Sequence, residues 1–281
     1  MDLRWLRIIC CLSTFCVCTA AFSQSLPLRI SGSSTILPVV KAAARQFSEE
    51  YSMNIHVYGG GSSIGVQQTL NRHVDIGMVS RSLTDKERQA GLQTLTIGHD
   101  AIVVIINKFQ EINELSKEQI KRIFEGDIQN WQEVGGKAGT IQRIAKRTGR
   151  STRKLFDSFM GLQKLSSDTY QVGSNTEGLV LVGTDPYAIG YVSIGSAIIA
   201  MDRGLNIRML TIDNHVPSVN NLQNGAYPYS RKLNLITLGE PSKKAQSFLN
   251  YMQTPERRKL VLEHAFLTSA PEESPAKGSF P

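Results

Sequence analysis

The sequence predicts an α/β fold of two lobes facing a cleft, and three observations carry that prediction. Strand-like and helix-like segments alternate along most of the chain, the pattern of sheets covered by helices. Two strand segments, Val74–Ser80 (apolar except for Asp75) and Ala101–Asn107, are nearly continuous apolar runs, as in parallel sheets buried on both faces. Three Gly/Ser/Thr segments stand where a strand should hand over to a helix, at Gly32-Ser33-Ser34-Thr35, Gly59-Gly60-Gly61-Ser62-Ser63 and Gly149-Arg150-Ser151-Thr152. The first two lie early in the chain and the third in its middle. A ligand held beyond the carboxyl ends of the strands would therefore be touched from both lobes. Residues 24–106 are assigned to the first lobe, 107–211 to the second, and 212–281 to a return to the first.

The elements follow in order. Leu28–Ser31 reads as a strand and residues from about Ile36 to Glu50 as an amphipathic helix with Pro38 in its first turn. Asn54–Tyr58 is a second strand, followed by the triple glycine and a helix through Val66, Leu70 and Asn71. Val74–Ser80 is a third strand. Ala101–Asn107, the most hydrophobic run, is too short for a helix and reads as a central strand. Ser116 with Gln119 three residues later forms a capping box for a helix through Ile120 and Phe124. Gly126, Trp131 and Gly135-Gly136 mark a connection. Thr140–Ala145 is a strand, Thr152–Met160 a helix, and Ala188–Ser193, Leu205–Ile212 and Arg231–Thr237 further strands. Two terminal helices run from about Ser242 to Gln253 and from Pro255 to His264. The tail from Ser269, rich in Pro, Ser and Glu, is expected to be frayed.

The first 23 residues read as a cleavable secretory leader: Arg4 and Arg7, an apolar stretch from Ile8 to Ala21, then the small-x-small site Ala21-Phe22-Ser23. The stretch is too short and too rich in Ser, Thr and Cys for a membrane span. Gln24 is the expected first mature residue. All four cysteines lie in this leader, so the mature chain has no disulfide, no thiolate metal site and no cysteine nucleophile. Its roughly 258 residues suffice for one or two sizeable cores. Removing Arg4, Arg7 and Asp2 leaves 29 basic and 23 acidic residues, a net charge of +6. The basic residues are scattered rather than striped with aromatics, which argues against nucleic-acid binding and for a surface that mildly attracts anions.

Chemistry concentrates at the three Gly/Ser/Thr segments. Each offers bare backbone N–H groups and hydroxyls at a helix start, where the macrodipole favours negative charge. With Arg81, Arg147 and Arg150 nearby in sequence, they suit a small tetrahedral oxyanion. Such an ion needs a dense shell of donors, which fixed amides, rotatable hydroxyls and an arginine fork supply.

The same segments carry a family resemblance. Gly32-Ser33-Ser34-Thr35-Ile36 with Pro38, Gly60-Gly61-Ser62-Ser63-x-Gly65, and Val74-Asp75-Ile76-Gly77 leading to Ser80-Arg81 resemble the phosphate-binding proteins of bacterial ABC uptake systems. Ile123-Phe124-x-Gly126, Asn130-Trp131, Ala188-Ile189-Gly190-Tyr191-Val192 and Gly225-x-Tyr227-Pro228-x-Ser230-Arg231 are similar to that family's later motifs. The resemblance spans about Leu28 to Phe266. It implies a type II periplasmic binding-protein fold, mostly parallel sheets with covering helices and a hinge of two crossing strands. It further implies a periplasmic monomer that binds phosphate, needs no cofactor and hands its ligand to ABC permease subunits.

Carried over by position, Ser34 and Thr35, Ser62 and Ser63, and Ser80 with Arg81 would bind from the first lobe, and Ser151 with Thr152 from the second. The family expects an arginine a few residues before a Gly-Ser-Gly-Thr turn. Residues Lys146-Arg147-Thr148-Gly149-Arg150-Ser151-Thr152-Arg153 match that imperfectly, so Arg147 and Arg150 are both candidates. Ser80 stands where a carboxylate would accept the phosphate proton, which weakens discrimination of phosphate from sulfate. A binder of another tetrahedral oxyanion (molybdate, tungstate or sulfate) is the alternative reading. Asp75, the nearest acid, is read as satisfying backbone amides below the site.

Rival readings are weaker. Gly61-Ser62-Ser63-Ile64-Gly65 matches a nucleophile elbow on Ser63, with Asp185 or Asp213 and His215 or His264 in the order of a hydrolase triad. The pattern is degenerate, and the chain is expected not to be an enzyme. His56, His73, His99, His215 and His264 lack metal-ligand spacing. Tyr187, Tyr191, Tyr227 and Trp131 are read as packing, not as a sugar platform. A sensor or scaffold of the same fold is the remaining alternative.

Overall fold

The computed structural model describes residues 26–263 and Phe266. The leader, Gln24, His264 and the tail from Ser269 lie outside the described residues. In the first half, β1 (Leu28–Gly32) leads to α1 (Leu37–Tyr51) and β2 (Ile55–Gly59) to α2 (Ser62–Leu70), followed by β3 (Ile76–Val79) and the short α3 (Asp85–Gln89). Next come β4 (Leu92–Asn107), β5 (Glu114–Leu115), α4 (Lys117–Glu125), a 3-10 turn at Trp131–Val134, β6 (Gln142–Lys146) and α5 (Ser151–Met160). Then β7 (Tyr170–Val172), α6 (Asn175–Thr184), β8 (Ala188–Ser193), α7 (Ile194–Asp202), β9 (Ile207–Met209) and β10 (Thr211–Ile212) follow. The chain closes with α8 (Val219–Gln223), β11 (Ser230–Leu238), α9 (Lys243–Tyr251) and α10 (Pro255–Glu263).

The elements missed by sequence pattern have physical reasons. β4 spans 16 residues and begins at Leu92 rather than Ala101, because its first part carries Gln93, Thr94 and Thr96 on a partly exposed ribbon. The expected strand Leu205–Ile212 breaks at Leu210, whose amide turns to Val104 O at 2.9 Å. Helices α6 and α7 combine apolar residues and glycines with few charges, so no polar face reveals their period.

The main sheet has the order β2-β1-β3-β11-β4-β8-β6-β7, with β9 also on β4; β10 pairs β5 separately. Its flanks are parallel: β1 with β2 and β3, and β6 with β7 and β8. The two flanks are joined by β4 and β11, antiparallel to each other from Leu92 opposite Leu238 to Ala101 opposite Ser230. From Ile102 onward β4 exchanges β11 for β8. Two strands thus cross between the halves.

The apolar interior divides at the same place. One core gathers Leu28, Ile30, Val40, Phe47, Ile76 and Phe248; the other gathers Val103, Ile105, Phe124, Trp131, Phe156 and Tyr191. Ala101–Ile106 and Ile212, Leu222, Tyr227 and Tyr229 pack in the second core, although the boundaries read from sequence group them with the first lobe. Of the aromatic residues read as packing, Tyr191 stacks on Phe156 at 3.7 Å, Trp131 and Tyr227 are buried, and Tyr187 packs partly buried against the same core.

Glycine sets how closely the first two turns approach. A Cβ on Gly32 (φ +138°) would sit 2.3 Å from Met78 O, and one on Gly65 2.8 Å from the same oxygen. Only bare α-carbons let the start of α2 rest on the ends of β1 and β3.

Candidate anion-binding site

The three Gly/Ser/Thr turns meet. Ser62 at the start of α2 and Ser151 at the start of α5 touch through their Oγ atoms at 2.5 Å, although 89 residues apart. Ser80 Oγ, just after β3, lies 3.0 Å from Ser151 Oγ and 3.4 Å from that of Ser62, and its amide donates to Ser62 Oγ at 3.1 Å. Ser33 Oγ donates to Ser80 Oγ at 3.0 Å and accepts from Thr35 N at 3.2 Å. Four hydroxyls from both halves of the sheet thus form one buried cluster. Each can donate and accept, so together they satisfy one another and could turn their hydrogens to an anion.

The helix starts around this cluster differ from those elsewhere. The N-caps of α3, α4, α6, α8 and α9 are Ser or Thr residues whose side chains accept from the first turn. The N-caps of α1, α2 and α5 are Ile36, Gly61 and Arg150, none with a side-chain cap bond. A side-chain cap normally occupies a first-turn amide that has no intrahelical acceptor. Where it is omitted at α2 and α5, those donors remain available beside the serine cluster. At α7 the N-cap Ser193 directs its Oγ instead to Asp100 Oδ1 at 2.7 Å.

A buried ion pair ties the turns together. Arg231, at the start of β11, donates from Nε and Nη2 to Asp100 Oδ2 at 2.8 and 2.6 Å. Its remaining donors reach Thr152 Oγ1 at 2.7 Å and Thr35 Oγ1 at 3.2 Å, one hydroxyl from each side of the cleft. Both charged side chains are essentially inaccessible. The guanidinium thus connects β4, α5 and the turn before α1.

The sequence-selected residues separate into groups. Thr35, Ser62, Ser80, Ser151 and Thr152 are buried in the cluster or on Arg231. Ser34 is half-buried in the same turn and Ser63 is exposed. Arg150 extends across the cleft to the other half: a Cβ on Gly61 would lie 3.0 Å from its Cδ and 3.2 Å from Nη1. Arg81 turns aside, its fork held by Glu87 at 2.8 and 2.7 Å, and that fork keeps the Glu87 carboxyl at about 2. Arg147 is exposed, with Nε on Gln171 O at 3.3 Å. A cavity of about 330 Å³ opens beside the cluster, lined among others by Ser63, Arg81, Arg150, Ser151 and Arg153.

Sequence reasoning passed over Ser33, Asp100, Arg231 and Lys146 as site residues. Ser33 and Arg231 stood inside quoted motifs and Asp100 at the edge of the apolar run, but nothing local marks a pairing across 131 positions. Lys146, the last residue of β6, is buried, and its ammonium donates to Ser174 O at 2.5 Å. Burial first, and then the Arg231 charge, pull it down to about 7.

Asp75 accepts from Arg29 N at 2.8 Å, at the opposite end of β1 from the cluster. The elbow pattern assembles no triad among the described residues: Asp185 accepts from Tyr187 N, Asp213 from Lys117 N, and His215 pairs with Ala226 O. No group of three or more His, Cys, Asp or Glu placed to hold a metal occurs among the described residues.

Comparisons with known proteins agree with this architecture. A family model described as a PBP superfamily domain matches residues 19–256. The phosphate-binding protein PstS of Bacillus subtilis is 30% identical over 243 residues, covering 84% of this chain and 78% of the relative. PstS of Borreliella burgdorferi is 26% identical over 249 residues, covering 85% and 88%. Among solved structures, a substrate-binding protein from Clostridium perfringens, described as that of a phosphate ABC transporter with bound phosphate, is similar with a TM-score of 0.80 at 26% identity. That match covers 87% of this chain and all of the other. An ABC-type phosphate transport receptor from Vibrio cholerae follows at 0.73 and 26%, covering 86% of this chain and all of the receptor.

Proposed function

Since the chain belongs to the PBP superfamily, among the phosphate-binding proteins of ABC transporters, we infer that it captures inorganic phosphate between the two halves of its sheet. It then delivers the ion, as an exported monomer without catalysis, to an ABC permease in the membrane. The observation that carries this reading is the meeting of Ser62 and Ser80 with Ser151 at helix starts that lack side-chain caps. A structural cluster of serines would not require two uncapped helices to face it.

The energetics are adequate. Micromolar capture needs about 8 kcal/mol net. About ten charge-assisted hydrogen bonds at ~1.5 kcal/mol each exceed that and leave a margin for ordering the two halves. The strands β4 and β11 form the natural hinge, because among the described residues they carry the main chain between the flanks of the main sheet. Closing about them would complete the donor shell and report loading to the permease. Thr35 and Thr152 join through Arg231, Arg150 spans the cleft, and Arg81 with Ser63 lines its mouth.

Calorimetry on the mature protein tests the reading. Phosphate is expected to bind in the micromolar range, with Ser62→Ala and Arg150→Ala each weakening it more than tenfold. Arg81→Ala should cost less, because Glu87 already engages its fork. No heat with phosphate, or unchanged affinity in both of the first two variants, would refute it.

A further inference from the structure

The charges around the cluster are unevenly matched. Every carboxylate next to a site cation is engaged: Asp100 by Arg231 and Ser193, Glu87 by Arg81, and Asp157 by Arg153 at 2.8 and 2.6 Å. Glu177 takes the Gly173 amide at 2.7 Å and forms no ion pair among the described residues. Lys146, which feels the Arg231 and Arg150 charges, and Arg150, which lines the cavity, have no carboxylate within ion-pair distance among the described residues. Glu177 lies near enough to favour the charge on both, and exposed Lys154 at the cavity is likewise without an ion pair among those residues. Lys146 is 3% exposed, and its single side-chain hydrogen bond is to a neutral carbonyl. An ammonium buried with two unmet donors is costly unless an anion arrives to match it. Nothing in the cluster offers a carboxylate to a proton carried by the ligand.

Resting on the phosphate-capture reading above, we propose that this site recognises a tetrahedral oxyanion in its doubly charged form, with Lys146 and Arg150 as the matching cations. A singly charged phosphate, which carries two protons, would leave one cation unmatched and would need two acceptors from the cluster. The doubly charged form matches both cations and needs one hydroxyl to accept its single proton. Because a serine hydroxyl can donate as well as accept, a permanently deprotonated dianion of the same shape is admitted alongside doubly charged phosphate. Discrimination by a clashing lone pair, which a site carboxylate would provide, is absent.

The groups that face Lys146 support the same conclusion. Arg231 from β11 and Arg150 before α5 repel its charge, Glu177 on α6 favours it, Asp100 on β4 is neutralised by Arg231, and the Tyr191 hydroxyl on β8 accepts the Lys146 amide at 3.0 Å. Arg153 on α5 donates to the Lys146 carbonyl at 3.3 Å. The balance lets the ammonium of the anion-free protein release its proton near pH 7, and a bound anion favours the charged form.

Binding of inorganic phosphate and of sulfate to the mature protein, measured from pH 5.5 to 9, tests this. Sulfate is expected to bind within about tenfold of phosphate at pH 7. Phosphate affinity should fall about tenfold per unit below its second ionisation, while sulfate affinity stays level there and declines only above neutrality as Lys146 loses its proton. Lys146→Arg should remove that alkaline decline, and Lys146→Met should weaken both anions about tenfold. Phosphate held equally well at pH 5.5 and 7, or sulfate excluded more than a hundredfold, would overturn the proposal while leaving phosphate capture intact. If neither anion binds, both readings fall. Should either variant fail to fold, the two pH profiles of the unmodified protein decide the matter.

Discussion

The two ends of β6 each bury a cation, and they treat it in opposite ways. Arg143 is 2% exposed, yet each of its three guanidinium nitrogens donates: Nε to Ile123 O, Nη2 to Ile128 O at 2.6 Å, and Nη1 to Ile141 O at 3.3 Å and to Asp168 at 2.9 Å. Three residues on, Lys146 is equally buried with one carbonyl for its ammonium. The first is a staple, holding α4 and the following loop to β6. The second is a charge stored beside the cleft. Burial alone therefore does not separate a structural cation from a functional one. The count of satisfied donors does.

Arg143→Met should break this comparison most severely, because it strips several carbonyls of their donor and leaves Asp168 unpaired. A loss of about 3–5 kcal/mol is expected from urea unfolding, with phosphate affinity of the remaining folded protein unchanged within about threefold. Lys146→Met should show the inverse signature. Replacing an unmatched buried charge by an apolar chain is expected to leave stability at pH 6 unchanged or raise it by about 1–2 kcal/mol, while anion affinity drops about tenfold.

The pH dependence of stability sharpens the contrast. Unfolded, a lysine keeps its proton up to about 10.5, whereas folded Lys146 releases it near 7. Between those values the unfolded chain binds the extra proton, so this residue makes stability rise with pH across that window, with no contribution to the slope below it. The ceiling is about 1.4 kcal/mol per unit of pH. Thermal or urea unfolding of the anion-free protein from pH 6 to 10 should detect the rise, and Lys146→Met should remove it. The smallest effect is expected at Asp168→Asn. Its side chain is 59% exposed and three carbonyls still hold Arg143, so urea unfolding should register a loss below about 1 kcal/mol.

The legibility of the site follows the range of its interactions. Thr35, Ser62, Ser80, Ser151 and Thr152 were readable because a hydroxyl after a strand and before a helix has few places to go. The arginines were not. Arg81, Arg147 and Arg150 look alike in sequence, but Glu87 takes the first, Gln171 holds the exposed second, and the third alone crosses to Gly61. Among the long elements, β4 was half visible: Ile102–Ile106 is apolar on both faces, whereas Leu92–Asp100 carries the pattern of a ribbon and gives no run of its own.

By itself the sequence determined the α/β alternation, the glycine turns at the strand ends and the serines standing on them, because these depend on period 2, period 3.6 and the conformational freedom of glycine. Tertiary structure alone decided which hydroxyls meet, that Arg231 and Asp100 bridge 131 residues, and which cations go without a partner. Those are questions of what lies opposite across a fold. A charge is matched or left unmatched by neighbours through space, and the order of residues along the chain does not contain that distance.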